Sequence, residues 1–124
     1  MLRIVDSFNA RDIGEALRDV ADGFELDCSN SIGPLKGVYR GRDAAGEAWR
    51  SLLNAWMTVY WDPVEVIDID DSRVVVVNRS QMRRRGIYAD EIEAQLWTVR
   101  GGKAERLKLY RSRSETLEAA GLRE

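Results

Sequence analysis

Few side chains in this sequence of 124 residues can carry out chemistry, because it contains no histidine. Without histidine the chain cannot form a Ser-His-Asp triad, a Cys-His pair or the usual zinc coordination sphere. Its one cysteine, Cys28, cannot form an internal disulfide, and the neighbouring Asp27 disfavours the thiolate. The remaining candidates are carboxyl, amide, hydroxyl and guanidinium groups, and we expect neither a metal nor a cofactor.

Four tryptophans and several aliphatic side chains are candidates for the wall of a ligand cavity. Aromatic rings offer a large apolar surface with a polar tip, which suits a planar polyketide-like or steroid-like ligand. The alternative is that the same side chains form ordinary core. The predicted ligand-binding residues are Trp49, Leu53, Trp56, Trp61, Arg79, Trp97, Leu107 and Leu109.

Charge is nearly balanced overall at −2 but is unevenly distributed. Residues 1–72 hold 7 basic and 14 acidic side chains (−7), and residues 73–124 hold 12 basic and 7 acidic (+5). The basic part, including the run Arg83–Arg85, could bind an acidic partner or nucleic acid, or it could face solvent and the acidic part. The balanced total argues against nucleic acid.

Length and composition indicate one domain over residues 1–124, with 44% hydrophobic residues and enough apolar surface to exclude disorder. No apolar run approaches the roughly 18 to 20 residues of a membrane span, so no membrane contact is expected. The N-terminal segment lacks the layout of a signal peptide. We therefore expect a cytoplasmic protein.

Helical spacing appears in three parts of the chain. Ile4, Val5 and Phe8 predict a first helix, and Asp12 can cap a second one that runs to Val20, before Gly23 breaks the pattern. The longest predicted helix spans residues 42–58, with an apolar stripe from Ala45 to Trp56. A short helix over residues 114–120, closed by Gly121, ends the chain.

Strand patterns occupy most of the remainder, at residues 24–28, 38–40, 64–69, 74–81, 92–99 and 104–110. Residues 70–72 and 101–102 predict tight hairpin turns, and residues 84–90 a looser hairpin end. The order of elements predicts an α+β fold with helices on one face of a curved sheet. Apolar residues on both faces then require a partner on the other face, most simply a second copy of the chain.

Several segments together resemble the nuclear transport factor 2-like (NTF2-like) superfamily, in its SnoaL-like branch. They are residues 8–12, residues 37–44 before the long helix, and residues 65–68, 96–103 and 117–122. The resemblance implies a cystatin-like, cone-shaped α+β barrel, in which a curved antiparallel sheet carries helices on its concave face. It also implies a homodimer through the outer sheet face and a hydrophobic cavity suited to acid–base chemistry, as in ketosteroid isomerases and polyketide cyclases.

The resemblance further implies three catalytic candidates. Asp27 matches the position of the general base of ketosteroid isomerases, and the alternative is an ordinary strand-end carboxylate bonded to the backbone of residues 29–31. Gln95 stands where those enzymes have a protonated aspartic acid, and its strand parity places it on the concave face. Gln95 or Tyr39 would donate a hydrogen bond to the ligand, since Ile4 replaces the usual tyrosine donor.

Three functions stay open at this stage. The first is a cofactor-independent enzyme of isomerase, cyclase, hydrolase or dehydratase type that acts on a small hydrophobic carbonyl- or hydroxyl-bearing compound. Arg79 could contribute to hydrolase chemistry only if its side chain points inward. The second is a non-catalytic carrier or sensor with the same cavity, and the third is a protein interaction module that uses the basic part of the chain.

Overall fold

The computed structural model describes residues 2–31 and 33–122. Within these residues the helices are α1 (Leu2–Asn9), α2 (Ile13–Leu17), α3 (Arg42–Ala55) and α4 (Arg113–Ala119). The strands are β1 (Val20–Asp27), β2 (Val38–Arg40), β3 (Thr58–Asp68), β4 (Arg73–Arg84), β5 (Ile87–Arg100) and β6 (Lys103–Tyr110). None of the described helices is both long enough and apolar enough to cross a bilayer.

The strands form one curved, unclosed sheet in the order β2-β1-β6-β5-β4-β3. Strands β3 to β6 are consecutive antiparallel neighbours, which confirms the predicted hairpins and the α+β class. We expected an antiparallel sheet, but one pair of neighbouring strands, β1 and β6, is parallel. Parallel neighbours need a long connection, and these two strands are joined through all the elements between them.

Helices α1 to α3 cover the concave, inner face of the sheet, where aromatic rings form the centre of the core. Phe8 stacks on Trp61 with ring centroids 3.8 Å apart, and Trp49 meets both rings edge-on. The side-chain amide of Asn9 both donates to and accepts from the backbone of Trp61, at 2.7 and 2.8 Å. These contacts hold α1 against β3.

Helix α4 lies on the other, outer face of the sheet. Its Leu117 forms a second core with Val75, Leu96 and Tyr110. The expectation that helices cover only one face is therefore wrong, because the terminal helix folds back across β4 to β6. The outer face still exposes large apolar side chains outside α4, at Tyr60, Tyr88 and Ile92.

The long helix is shorter than its apolar stripe predicts. Helix α3 ends at Ala55, and Trp56 has extended backbone angles (φ −124°, ψ 140°). The β-branched and aromatic residues from Thr58 to Trp61 favour a strand, so β3 begins where helix was expected. Similarly, α2 ends at Leu17, and Val20 begins β1 with Gly23 inside it.

The hairpin between β4 and β5 is tighter than predicted. Arg84 pairs with Ile87, so only Arg85 and Gly86 form the turn instead of a loop over residues 84–90. Gly86 has φ 73°, a left-handed conformation that glycine adopts without steric cost.

Ion pairs connect the acidic and basic parts of the chain. Arg106 contacts Glu25 and Arg113 contacts Glu65, each at 2.8 Å. These pairs support the interpretation that the basic strands face the acidic part of the chain.

Candidate functional site

A recess opens at the inner face of the sheet, beneath the loop that joins β1 to β2. This loop covers it with Ser31, Pro34 and Leu35, and α3 contributes Trp49 and Leu52. The sheet contributes the rest of the lining, at Trp61, Ser80, Met82, Glu93 and Leu109.

The recess is small. The empty space of the recess, including its open mouth, is about 350 Å³. The part that the centre of a water molecule can reach is much smaller, about 30 Å³. One water needs roughly 10 to 15 Å³ by the second measure, so the interior holds about two. Among the described residues, the rings of Phe8, Trp49 and Trp61 fill the part of the cone where we expected a hollow for a steroid-like guest.

Glu93 is the ionisable group of the recess. It lies on β5 opposite Asn78, and only 5% of its surface is exposed. Burial raises the pKa of this carboxyl to about 7, and the Asn78 amide opposes that shift only in part. Among the described residues, no arginine or lysine forms an ion pair with Glu93. Near neutral pH the carboxyl therefore populates both its protonated and its ionised form.

Two buried polar groups near Glu93 lack a hydrogen-bond partner among the described residues, namely the indole N–H of Trp49 and Nε2 of Gln95. The Oε1 atom of Gln95 accepts a hydrogen bond of 2.9 Å from the indole N–H of Trp97. Unpaired buried polar atoms are costly, about 1 to 3 kcal/mol each, and these two groups can donate hydrogen bonds to a bound molecule.

Asp27 lies on the opposite face of the sheet from Glu93. It pairs along the strand with Lys108, whose own partner on β5 is Leu96 of the outer core. The backbone N–H and the hydroxyl of Ser29 donate to its carboxylate, at 3.0 and 2.6 Å. Arg106 and Lys108 approach it at 3.3 and 3.5 Å.

Burial by itself would raise the pKa of Asp27, but the hydrogen bonds from Ser29 and the charges of Lys108 and Arg106 hold it below its ordinary value. The carboxylate does not line the recess. The structure thus supports the alternative that Asp27 is a strand-end carboxylate, and the general-base assignment is corrected.

The other predicted site residues divide by position. Trp49, Trp61 and Leu109 line the recess, while Leu53, Trp97 and Leu107 are buried in the core around it. Tyr39 is partly buried on β2, and Gln95 is buried on the inner face as its parity predicts, but neither lines the recess. The guanidinium of Arg84 lies over Trp56, with its central carbon 4.8 Å from the centre of the indole ring.

Arg79 points outward, so its predicted contact with the ligand is corrected. Its guanidinium forms two hydrogen bonds with Asp90, at 2.9 and 2.6 Å, and this pairing raises its pKa. The reason is strand parity, since Arg79 shares the outer side of β4 with the core residue Val75.

Neither thiol nor metal chemistry has a centre in the described part of the chain. Burial raises the pKa of the Cys28 thiol to about 12, with further contributions from the charges of Asp27 and Glu93. The thiol is thus neutral and not a nucleophile. Across residues 2–31 and 33–122, no group of three or more histidine, cysteine or acidic side chains could hold a metal ion.

Glu93 is the residue that sequence reasoning missed, although the sequence contained a signal for it. Side chains two residues apart on a strand share a face. Gln95 and Trp97 were placed on the concave face by this rule, and one further step along β5 places Glu93 there as well.

The architecture and its inner recess define the class of fold: the chain has the cone-like α+β fold of NTF2-like and SnoaL-like proteins. It is similar to TerC, crystallised with polyporic acid, with 24% identity over 97% of this chain and 94% of TerC, and a TM-score of 0.77. An NTF2-like protein of unknown function from Burkholderia pseudomallei is 19% identical, covering 94% and 91% of the two chains, with a TM-score of 0.75. A SnoaL-like protein of unknown function from Burkholderia thailandensis is 18% identical over 90% of each chain, with a TM-score of 0.69. No protein-family model and no curated protein matches the sequence.

Proposed function

We propose that this protein binds a small carbonyl- or hydroxyl-bearing molecule in the recess, with Glu93 as the group that exchanges a proton or hydrogen bond with it. The observation that carries the proposal is a buried carboxyl that lines an open recess without an ion-pair partner among the described residues. A carboxyl in this setting is costly for the fold, which is typical of groups that serve a ligand.

The chemistry available to Glu93 follows from its pKa near 7. The protonated form donates a hydrogen bond to a carbonyl oxygen, and the ionised form removes a proton from a carbon next to that carbonyl. The unpartnered indole N–H of Trp49 is a second donor on a residue that lines the same recess. This pair of groups would suit an isomerase, cyclase or dehydratase type of step.

The size of the recess limits what enters it. A volume of about 30 Å³ accepts one polar group of a ligand, while the body of the molecule rests at the mouth against Trp61, Leu52 and Met82. The likeness to TerC, which was crystallised with polyporic acid, supports a small organic ligand for this fold. The ligand would be smaller or less deeply inserted than the steroid-like guest expected from the sequence.

A carrier or sensor function is the second candidate. It is favoured because Glu93 has no second ionisable group beside it in the described lining of the recess, whereas acid–base enzymes often use two. Recovery of a bound compound that is chemically unchanged after incubation would support this candidate. Conversion of the compound would support the enzyme.

The proposal is tested by titrating the protein with benzyl alcohol and benzaldehyde and following backbone amide signals by NMR. We expect saturable shifts that centre on the recess, at residues such as Ser80 and Leu109. The variant Glu93→Gln should weaken binding, and Glu118→Gln, which changes an exposed carboxyl of α4 on the outer face, should not. Shifts that centre elsewhere, or an identical affinity in Glu93→Gln, would contradict the proposal.

A further inference from the structure

The charge of the recess points to a restriction on its ligand. We propose that the recess selects by charge, taking neutral hydroxyl or carbonyl compounds and excluding carboxylates, phenolates and phosphates, and that Glu93 imposes this selection. The inference rests on the proposed function and names the class of ligand that the site accepts.

The first observation is the lining itself. Its described side chains are apolar, aromatic or hydroxyl groups, and Glu93 is the sole ionisable one among them. An anionic ligand group placed there would meet a carboxylate in a poorly solvated space with no cation in the lining. Like charges at short range in such surroundings repel strongly, whereas a neutral hydroxyl has no such penalty.

The second observation concerns the groups that face Glu93 from the neighbouring elements. Asn78 faces it from β4 and is neutral, and Cys28, just after β1, keeps its thiol proton. Helix α3 and strand β6 present Trp49, Leu52 and Leu109. None of these groups can neutralise an incoming anion.

The nearest candidate cation is Lys36 in the covering loop, and it does not serve the recess. Its ammonium donates to the backbone oxygen of Ser31 at 2.7 Å, its side chain is exposed, and it is not among the groups that shift the pKa of Glu93. The basic side chains Arg106 and Lys108 lie on the outer face with Asp27. The sheet therefore separates Arg106 and Lys108 from the recess.

The selection should depend on pH, because Glu93 changes charge near neutrality. As pH rises through about 7, the carboxylate form becomes dominant and anions are rejected more strongly. The neutral ligand keeps a hydrogen-bond partner in either state, as the carboxyl can donate or accept.

The experiment compares two probes of matched shape, benzyl alcohol and benzoate, by NMR titration of the full chain. The quantity measured is the ratio of the affinity for benzyl alcohol to that for benzoate. In wild type this ratio should be at least about ten at about pH 8.5 and smaller at about pH 5.5. In Glu93→Gln the ratio should fall toward one and lose its pH dependence. The control Glu118→Gln should keep the wild-type ratio, because its carboxyl is exposed to solvent on α4, across the sheet from the recess.

Each outcome bears on one of the two proposals. Equal binding of the two probes in wild type, or an unchanged ratio in Glu93→Gln, overturns charge selection and leaves the recess as a binding site. Binding of neither probe overturns the proposed function and the selection with it. Since glutamine keeps the shape of glutamate and removes a buried charge, the variant should fold, and its amide spectrum verifies this.

Discussion

Asp27 and Glu93 each have 5% of their surface exposed, yet they lie on opposite faces of the sheet and have opposite properties. On the outer face Asp27 receives hydrogen bonds from Ser29 and lies near two cations, so its pKa is lowered. On the inner face burial raises the pKa of Glu93 to about 7, and the neutral amide of Asn78 opposes this shift only in part. The comparison teaches that the exposed fraction alone does not decide the role of a buried carboxyl, because Glu93 lies deeper in the protein and also lacks the hydrogen bonds and cations that stabilise the charge of Asp27.

The largest expected effect comes from removing a ring on the inner face. Trp61→Ala should lower the free energy of unfolding by about 3 to 5 kcal/mol, because it leaves a cavity beside Phe8 and Trp49. Tyr60 is the matched control, since it is the preceding residue on β3 but lies on the outer face and is 43% exposed. Urea unfolding measures both variants, and a loss in Tyr60→Ala as large as that in Trp61→Ala would contradict the packing described here.

The next effect concerns the charge of Glu93. The folded state holds its proton up to about pH 7, whereas the unfolded carboxyl releases it near its ordinary value of 4.5. The folded state thus binds more protons between these values, and stability falls as pH rises through them. Glu93→Gln removes this loss. Above pH 7 its free energy of unfolding should exceed that of wild type by up to about 3 kcal/mol.

Urea unfolding at about pH 5 and about pH 8.5 checks this sign, because the advantage of Glu93→Gln should shrink at the lower pH. A variant less stable than wild type at the higher pH would mean that the carboxylate has a partner that stabilises it.

Asp27→Asn should lower the free energy of unfolding, by less than Glu93→Gln raises it. Asparagine keeps the shape but weakens the hydrogen bonds from Ser29 and the attraction to Lys108 and Arg106, at a cost of about 1 to 2 kcal/mol near neutral pH. A lowered pKa contributes stability above the ordinary value of 3.8 that is lost as pH falls below it, so the difference from wild type should vanish there. Binding of benzyl alcohol should be unaffected, and its loss would restore Asp27 to the site.

The smallest effect is expected at Arg79. Its pair with Asp90 is exposed on the outer face, so Arg79→Gln should change neither stability nor ligand binding measurably. A weakened affinity for benzyl alcohol would show that the outer face communicates with the recess.

The outer face is also where we propose that a second copy of the chain binds. It exposes Tyr60, Tyr88 and Ile92 beside polar groups, Arg79 and Asp90, that already pair with each other. We expect a dimer in sedimentation equilibrium that dissociates in Ile92→Glu while the recess still binds benzyl alcohol. A wild-type monomer would contradict this proposal.

Much of the fold could be predicted because its signals are local. The apolar spacing of Ile4, Val5 and Phe8 and the cap at Asp12 define α1 and the start of α2. The ends of α3 could not be predicted as well, since Trp56 fits both the helical stripe and the extended segment that follows. There the pairing of β3 with β4 decides, and it is a contact distant in sequence.

The site was harder to predict, for two physical reasons. The alternation of Phe24, Leu26 and Cys28 on the inner side already directs Asp27 outward, but the likeness to isomerases favoured the opposite assignment. The volume of the recess depends on how the tryptophan rings pack against one another, and spacing along the chain contains no information on that. A stripe of aromatic residues predicts an apolar interior equally well whether it is hollow or filled.

The most direct test of this account is an NMR titration of the side-chain carboxyl carbons of Glu93 and Asp27 in the folded protein. The account predicts that Glu93 titrates near pH 7 and Asp27 below its ordinary value of 3.8. A Glu93 carboxyl that titrates at or below its ordinary value of 4.5 would mean that it is solvated or paired, and it would contradict the assignment of the recess as the functional site.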